Sequence, residues 1–467
     1  MLNSSGLELN VNETLDPFLI KKLAIAYGLW LKNKDKRVIL GRDTRPSSQL
    51  IEKTVIEGLV SVGIKVFNAG ICPLPVLMYV KDKLKLSGGM LISDSHKPVN
   101  WNKIKLFSKG STLNSFEQKE ISAISNDINL NNFNIVKYDK SEMVKSIETI
   151  PNYIHDIYNQ INFERVKNNN NLRVILDTGA GAGKVIASKL FEGIGCEVLE
   201  INKELDRISQ FPRKLDLRKE NLGDLIMALW KGNYDVGFAF DCDMSNLGII
   251  ANDFELYSED TGFALIMDYF LKQEENQRKD FVCYLNLASS LRFEVLAEKH
   301  KIKVHKTYIT GDYRKEKDKK PNSEDKNAII LGSEGMYGGP TFPQFNKVKD
   351  SLFIALKLIE ILVDTKEPLS SLFSNLPNFY SYYEKVELSE TNLNEVISRV
   401  REELVEEGEY VLQYSMSLRF GHGKEWYVLI YPFNNSLQIK SEANRDSLAR
   451  LYCETTVELI NLVISKL

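Results

Sequence analysis

Ser93-Asp94-Ser95-His96-Lys97-Pro98-Val99-Asn100-Trp101-Asn102-Lys103-Ile104-Lys105-Leu106-Phe107 is the stretch around which this chain is organised. It follows Gly88-Gly89-Met90-Leu91-Ile92, a short apolar run after paired glycines. Such a run predicts a buried strand that delivers a polar loop at its carboxyl end, where α/β proteins place their ligands. A phosphate on Ser95 would need nearby cations and donors, and His96, Lys97, Lys103 and Lys105 all lie within ten residues of it. The alternative is a solvated, lysine-rich loop after a strand.

Composition bounds the rest. The 467 residues are 43% hydrophobic and 26% charged, enough for several domains with large cores. A formal net charge of -3, on 60 basic and 63 acidic side chains, supplies no overall field for nucleic acid or an anionic membrane. Phosphate recognition must therefore be local. The five cysteines (Cys72, Cys196, Cys242, Cys283, Cys453) form no CxxC pair, which fits a reducing compartment and no disulfide frame or structural zinc. With neither an amino-terminal leader pattern nor a long apolar run, a cytoplasmic protein is expected.

Strand, loop and helix units recur along the chain. Asp16-Pro17 reads as a helix start, with Leu19, Leu23, Ala26, Tyr27 and Trp30 as the apolar stripe. Val38-Ile39-Leu40 runs into Gly41-Arg42-Asp43-Thr44-Arg45-Pro46-Ser47-Ser48 and then a helix. A second unit begins at Leu172 and carries Asp177-Thr178-Gly179-Ala180-Gly181-Ala182-Gly183. That glycine spacing departs from the dinucleotide fingerprint, and a tight turn with close helix packing accounts for it better. The strand Val236-Gly237-Phe238-Ala239-Phe240 ends in Asp241-Cys242-Asp243-Met244-Ser245-Asn246. Two carboxylates after a buried run are costly without a cation or donors, and a magnesium ion bridging them to a phosphate is the natural chemistry. A third unit has strands at Phe281 to Leu287 and Ile329-Ile330-Leu331, an exposed charged loop from Arg314 to Lys326, and a helix from Asp350 to Val363. From about Phe379 the pattern becomes strands around two helices, with Tyr414 to Phe420 as one strand, an α+β module.

The Ser95 block resembles the phosphoserine loop of the alpha-D-phosphohexomutases, the phosphoglucomutase and phosphomannomutase family, whose usual form is T-A-S-H-N-P followed by Y-N-G-I-K. The loop at Gly41 resembles the family's G-x-D-x-R-x-S, and the Asp241 loop its D-G-D-x-D-R. The resemblance spans nearly the whole chain. It implies an α/β protein of three tandem units (1–150, 151–254, 255–370) plus a C-terminal α+β domain (371–467), around a central cleft. It also implies transfer of a phosphoryl group between C1 and C6 of a hexose phosphate, with hexose 1,6-bisphosphate as activator. Ser95 would carry the phosphate, Lys105 and His96 would handle protons, and Arg42 or Arg45 would support the phosphoserine. Mg2+ would be held by Ser95, Asp241, Asp243 and Ser245. Glu334, in Gly332-Ser333-Glu334-Gly335-Met336-Tyr337, would contact the sugar, and Asn434, Asn435 and Ser436 the phosphate already on it.

Departures from the family pattern are numerous. Glu8 stands for an arginine, while Asp94, Lys97 and Lys103 stand for alanine, asparagine and glycine. Ser245 and Asn246 replace an aspartate and an arginine. Gly335, Met336 and Tyr337 are not the expected sugar ligands, and Tyr431-Pro432-Phe433-Asn434-Asn435-Ser436-Leu437 keeps only the proline of R-P-S-G-T-E-P. Each charged phosphate hydrogen bond lost costs about 1.5 to 3 kcal/mol, so two or three uncompensated losses would remove roughly two to six orders of magnitude in binding or rate. The expectation is a divergent mutase, with a catalytically silent paralogue in a binding or regulatory role as the alternative.

Overall fold

The computed structural model describes residues 6–13, 15–32, 35–109, 112–130, 139–273, 281–307, 329–334, 339–388, 392–433 and 436–467. The chain forms two compact units, Met1–Ile266 with Thr341–Phe373, and Met267–Pro340 with Ser374–Leu467.

In the first unit, β1 (Leu7–Asn10), β2 (Arg37–Arg42), β3 (Lys65–Ile71), β4 (Gly88–Ile92), β5 (Trp101–Phe107) and β6 (Val144–Ser146) make a sheet in the order β1-β5-β4-β2-β3-β6. β2 runs parallel to β3 and β4, so their carboxyl ends share an edge. β5 returns antiparallel to β4 and pairs with β1. β4 is buried throughout, as its apolar run requires. Its leading glycine has a packing reason: a Cβ on Gly88 would stand 2.8 Å from the Tyr27 hydroxyl, in the space taken by the helix Pro17–Lys32. Tyr27 holds that helix to the sheet by donating to the Phe107 carbonyl at 2.5 Å and accepting from the Gly89 N–H at 2.9 Å. Asp16 caps the helix as expected, accepting from the Phe18 N–H at 2.8 Å. Leu23, Ala26, Tyr27 and Trp30 are buried in its core-facing stripe.

The second sheet is built from β7 (Arg173–Asp177), β8 (Glu197–Ile201), β9 (Val236–Phe240), β10 (Leu247–Ile250) and β11 (Leu256–Ser258), in the order β11-β10-β9-β7-β8. β7 is parallel to β8 and β9, while β10 turns back antiparallel to β9. The glycine loop after β7 does the packing work expected of it. A Cβ on Gly181 would lie 2.4 Å from the Cys242 carbonyl oxygen, so only glycine lets this turn touch the loop after β9. The helix Ser351–Thr365 also belongs to this unit, capped by Asp350 and pinned through the Tyr153 hydroxyl at 2.7 Å.

The second unit holds β12 (Phe281–Asn286), β13 (Lys303–Thr307) and β14 (Ile329–Glu334), which join β15 (Gly339–Thr341) in a sheet ordered β13-β12-β14-β15. Glu334 is thus the last residue of a strand, three residues beyond the apolar run read from sequence. The C-terminal sheet is antiparallel: β16 (Tyr380–Glu387), β17 (Leu412–Tyr414), β18 (Ser417–His422), β19 (Trp426–Phe433) and β20 (Ser436–Ala443), ordered β16-β20-β19-β18-β17. The helices Leu393–Glu406 and Asp446–Lys466 contribute Val396, Val400, Leu404, Cys453 and Ile460 to its core. One expected strand, from Tyr414 to Phe420, is instead two, because Ser415 takes a left-handed φ of 55° and turns β17 into β18. The charged stretch at 314–326 lies outside the described residues.

Candidate active site

Two loops meet at the carboxyl edges of the first unit's sheets. The loop after β4 presents Ser95, and the loop after β9 presents Asp241, Asp243 and Ser245. Backbone pairing joins them: the Cys242 N–H donates to the Ser95 carbonyl at 3.2 Å, and the Leu74 N–H to the Asp243 carbonyl at 2.9 Å. Met244, buried, takes a left-handed φ of 57°, a conformation a non-glycine residue adopts at a cost and which sharpens the turn carrying the two acids.

The side chains then converge on one oxygen. Lys105, on β5, donates its ammonium to Ser95 Oγ at 2.8 Å and to Asp243 Oδ2 at 2.5 Å. Ser95 Oγ donates to the Asp243 carboxylate, at 3.1 Å from Oδ2. Ser245 Oγ lies 3.3 Å from Ser95 Oγ and gives its own proton to Asp241 at 2.8 Å. Asp241 also accepts from the backbone N–H groups of Ser245 and Asn246 and from the Asn246 amide. Ser95, Lys105, Asp241, Asp243 and Ser245 are therefore brought together as sequence predicted.

Electrostatics separates the two acids. Burial raises both carboxyls, but Lys105 outweighs it at Asp243, which is pulled down to about 2. Asp241 has no such partner, and burial next to Asp243 leaves it above the ordinary carboxylate range. Burial works against the Lys105 ammonium, yet Asp243 more than offsets this and lifts its pKa above that of a free lysine. Lys105 is accordingly held as an ammonium, with one N–H aimed at the serine oxygen.

The remaining candidates fall elsewhere. Arg45, 1% exposed, pairs with Asp43 and donates to the Lys97 carbonyl at 2.6 Å, so it braces the serine loop from beneath. Arg42 bonds Glu52 and the Asp43 carbonyl. Neither guanidinium reaches Ser95 Oγ. The His96 ring is exposed and lines a neighbouring cavity. The side chain of Glu334, together with Asn434, Asn435 and residues 335–338, lies outside the described residues. Ser436 corrects the expectation of an open loop: Phe433 pairs with Ser436 across a hairpin, and Ser436 is 1% exposed, accepting from the Gln438 amide at 3.2 Å.

Three of the departures form one cluster. Glu8 faces Lys103 across the β1–β5 ladder, and its carboxylate lies 2.9 Å from the Lys97 ammonium and 3.8 Å from that of Lys103. Lys97 also sits 3.9 Å over the Trp101 ring. Two cations around one anion leave a net single positive charge, so the reversal at Glu8 is compensated locally. Asp94 accepts from the N–H groups of His96 and Lys97 and so fastens the turn.

Sequence reasoning missed Lys349. Its ammonium donates to Asn246 Oδ1 at 2.5 Å and pairs with Glu259, whose burial, only partly offset by Lys349, pushes it up to about 7. This fixes the Asn246 amide so that its nitrogen faces Asp241. No local signal points to a lysine 103 positions away from its partner.

No cluster of three or more His, Cys, Asp or Glu side chains suited to a metal occurs among the described residues. The oxygen set does suit a hard divalent cation. Asp241 and Asp243 are both fully buried with one ammonium between them, and Ser95 and Ser245 add hydroxyl oxygens. Asp241 already accepts four hydrogen bonds, so a cation there competes with Ser245 and Asn246.

Comparison with known proteins gives the family. Residues 1–132, 151–254 and 258–380 match alpha/beta/alpha domains I, II and III of phosphoglucomutase/phosphomannomutase. The chain belongs to that family, the alpha-D-phosphohexomutases, whose members are phosphotransferase isomerases. It is 28% identical over 457 residues to a phosphoglucomutase/phosphomannomutase of Thermococcus kodakarensis, covering 96% of each chain. Against a probable phosphoglucosamine mutase of Pyrococcus horikoshii it is 25% identical over 477 residues, covering 99% of this chain and 98% of the other. The fold superposes on a phosphoglucomutase/phosphomannomutase family protein of Burkholderia thailandensis with a TM-score of 0.81 at 19% identity, over 99% and 97% of the two chains.

Proposed function

We propose that this chain is a phosphohexomutase that moves a phosphoryl group between C1 and C6 of a hexose phosphate through Ser95. The observation that carries the reading is the convergence of Lys105 and Asp243 on Ser95 Oγ, at 2.8 and 3.1 Å. In the forward half, the phosphorus–oxygen bond to Ser95 breaks as a bond to the sugar hydroxyl forms. Lys105 gives its proton to the departing serine oxygen, and His96 takes the proton that the hydroxyl loses. The hexose 1,6-bisphosphate so formed reorients, and the other phosphate returns to Ser95 by the reverse steps. Asp241, Asp243, Ser245 and Ser95 would hold Mg2+, which when bound neutralises charge on the moving phosphoryl group.

The relatives named above are described as acting on glucose, mannose or glucosamine phosphates, and these are the substrates to try. A cytoplasmic setting is part of the reading, in keeping with five buried free thiols. Intact-mass spectrometry should find a fraction of the protein heavier by one phosphate, about 80 Da, on Ser95. Priming with glucose 1,6-bisphosphate should then give turnover of at least one of the three 1-phosphates. No Ser95 phosphate and no turnover after priming would leave only a binding or regulatory role.

A further inference from the structure

We propose that Lys349 is a positioning residue for the metal loop: it locks the Asn246 amide as a permanent donor to Asp241, and so leaves the Ser245 hydroxyl as the group that yields to a divalent cation. The proposal rests on the mutase reading above and concerns how its Mg2+ site is set. Four donors fill the Asp241 carboxylate. The backbone N–H groups of Ser245 and Asn246 take Oδ1 at 2.8 and 3.2 Å, while the Ser245 hydroxyl, at 2.8 Å, and the Asn246 amide take Oδ2. A carboxylate offers about four lone-pair sites, so a cation binds there only where a donor withdraws.

The four are not equally free to withdraw. The two N–H groups belong to a backbone fastened on both sides: the Ser351 hydroxyl donates to the Met244 carbonyl at 2.6 Å, and the Leu247 N–H donates to Glu259 at 3.3 Å. The Asn246 amide is fastened by its other end. Lys349 donates to its Oδ1 at 2.5 Å, and an ammonium carries donors only, so the amide cannot turn over without setting its own N–H groups against a cation. Charge on the oxygen also polarises the amide and strengthens its N–H as a donor to Asp241. The Ser245 hydroxyl, by contrast, can turn. Ser95 Oγ, 3.3 Å away, is a second acceptor for its proton, and turning exposes an oxygen lone pair where a proton stood.

Local stability does not explain Lys349. Its side chain is 14% exposed and directly precedes Asp350, the cap of the helix Ser351–Thr365, where the helix dipole opposes a cation. Glu259, the first residue of the helix Glu259–Lys272, pairs with it and offsets the charge. Two well-packed apolar side chains would serve stability as well as such a buried pair. What the pair adds is direction, because the lysine held by Glu259 keeps a donor on the amide oxygen. The departure at 246, an amide where the family pattern has an arginine, is thus matched by a cation supplied from residue 349.

Isothermal titration of Mg2+ into the full-length protein tests this. Lys349→Met should weaken Mg2+ binding about tenfold, the usual worth of a group that orients a metal ligand, and Lys349→Arg, which can still donate to both the amide and Glu259, should stay within about threefold of wild type. Lys349→Met with Glu259→Gln removes the cation without stranding a buried carboxylate. It should show the same loss at an unchanged melting temperature, which separates the effect from a folding defect. In an Asn246→Ala background, Lys349→Met should change nothing further, because the lysine acts through the amide. Unchanged or tighter binding in Lys349→Met, or a full further loss in the Asn246→Ala background, overturns the proposal and leaves the transfer reading standing. No Mg2+ binding to wild type overturns it too. The mass of Ser95 on the same samples then decides the rest: a phosphate there keeps the transfer reading, and its absence removes that reading as well.

Discussion

Buried lysine–carboxylate pairs occur in both units, and they end in different places. In the first unit, Lys105 and Asp243 terminate on the hydroxyl of Ser95, a partly exposed side chain. In the second, Lys440 pairs with Glu442 at 3.3 Å and donates a hydrogen bond to the Ala288 carbonyl at 2.6 Å, while Arg419 pairs with Glu294 and bonds the Leu287 carbonyl. The cost of burying charge is met alike in both, by pairing and hydrogen bonds. What differs is the last atom in the chain of contacts. A carbonyl of the main chain can only be held, so the second set stabilises. A hydroxyl can exchange its proton for phosphorus, so the first set can do chemistry.

The sharpest way to break this contrast is Ser95→Ala, which removes the reactive terminus and keeps the charged pair. Turnover should fall by at least about a thousandfold, with the melting temperature little changed. Retained turnover would abolish the distinction. Next come Lys105→Ala and Lys440→Ala, compared side by side. Each leaves a buried carboxylate unpaired and should cost about 3 to 5 kcal/mol in denaturant unfolding. Only Lys105→Ala should also slow turnover, by about a hundredfold or more. Equal kinetic losses in the two would mean that both networks serve catalysis.

Acid supplies a finer probe. Asp243 titrates at about 2 in the fold against an ordinary 3.8, so its contribution, about 2 kcal/mol, is fully present above pH of about 4 and is lost as pH falls towards 2. Wild type should lose that much over this window in acid unfolding, whereas Lys105→Ala should lose little, having no ammonium to hold the carboxyl down. The smallest expected effect concerns the metal. Ser245→Asp adds a third negative oxygen ligand and should tighten Mg2+ binding about tenfold by titration calorimetry. No gain would indicate that Asn246 and the backbone, not the missing charge, set the affinity.

The fold was open to a reading of residues because its strands announce themselves. Gly88-Gly89-Met90-Leu91-Ile92 and Val236-Gly237-Phe238-Ala239-Phe240 are continuous apolar runs, and each became a buried parallel strand with its polar loop at the carboxyl end. The pairing of Ser95 with Asp243 was implied by the family resemblance of their two loops, not by either loop read alone, although 148 residues separate them. What stayed hidden depends on side-chain direction. Arg45 looked like a phosphate ligand, but its neighbours Asp43 and Lys97 claim it first. Glu8 looked like a loss until the β1–β5 register set it opposite Lys103. Ser436 looked like part of an open loop, yet it is the first residue of β20, a strand buried along almost its whole length, and is paired with Phe433. A local pattern records period and polarity; it does not record which of several partners a charge will choose.

Cys242 sits in the seam between the two loops, wholly enclosed, with its sulfur 3.3 Å from Asp43 and 3.2 Å from Arg45. Enclosure keeps the thiol protonated, with a pKa well above that of a free cysteine. An alkylating reagent can reach it only while the seam is parted, and reaction there therefore meters how often the serine and the acids come apart. The molecule carries its own stopwatch for that event, a thiol already in place with no cysteine to be introduced.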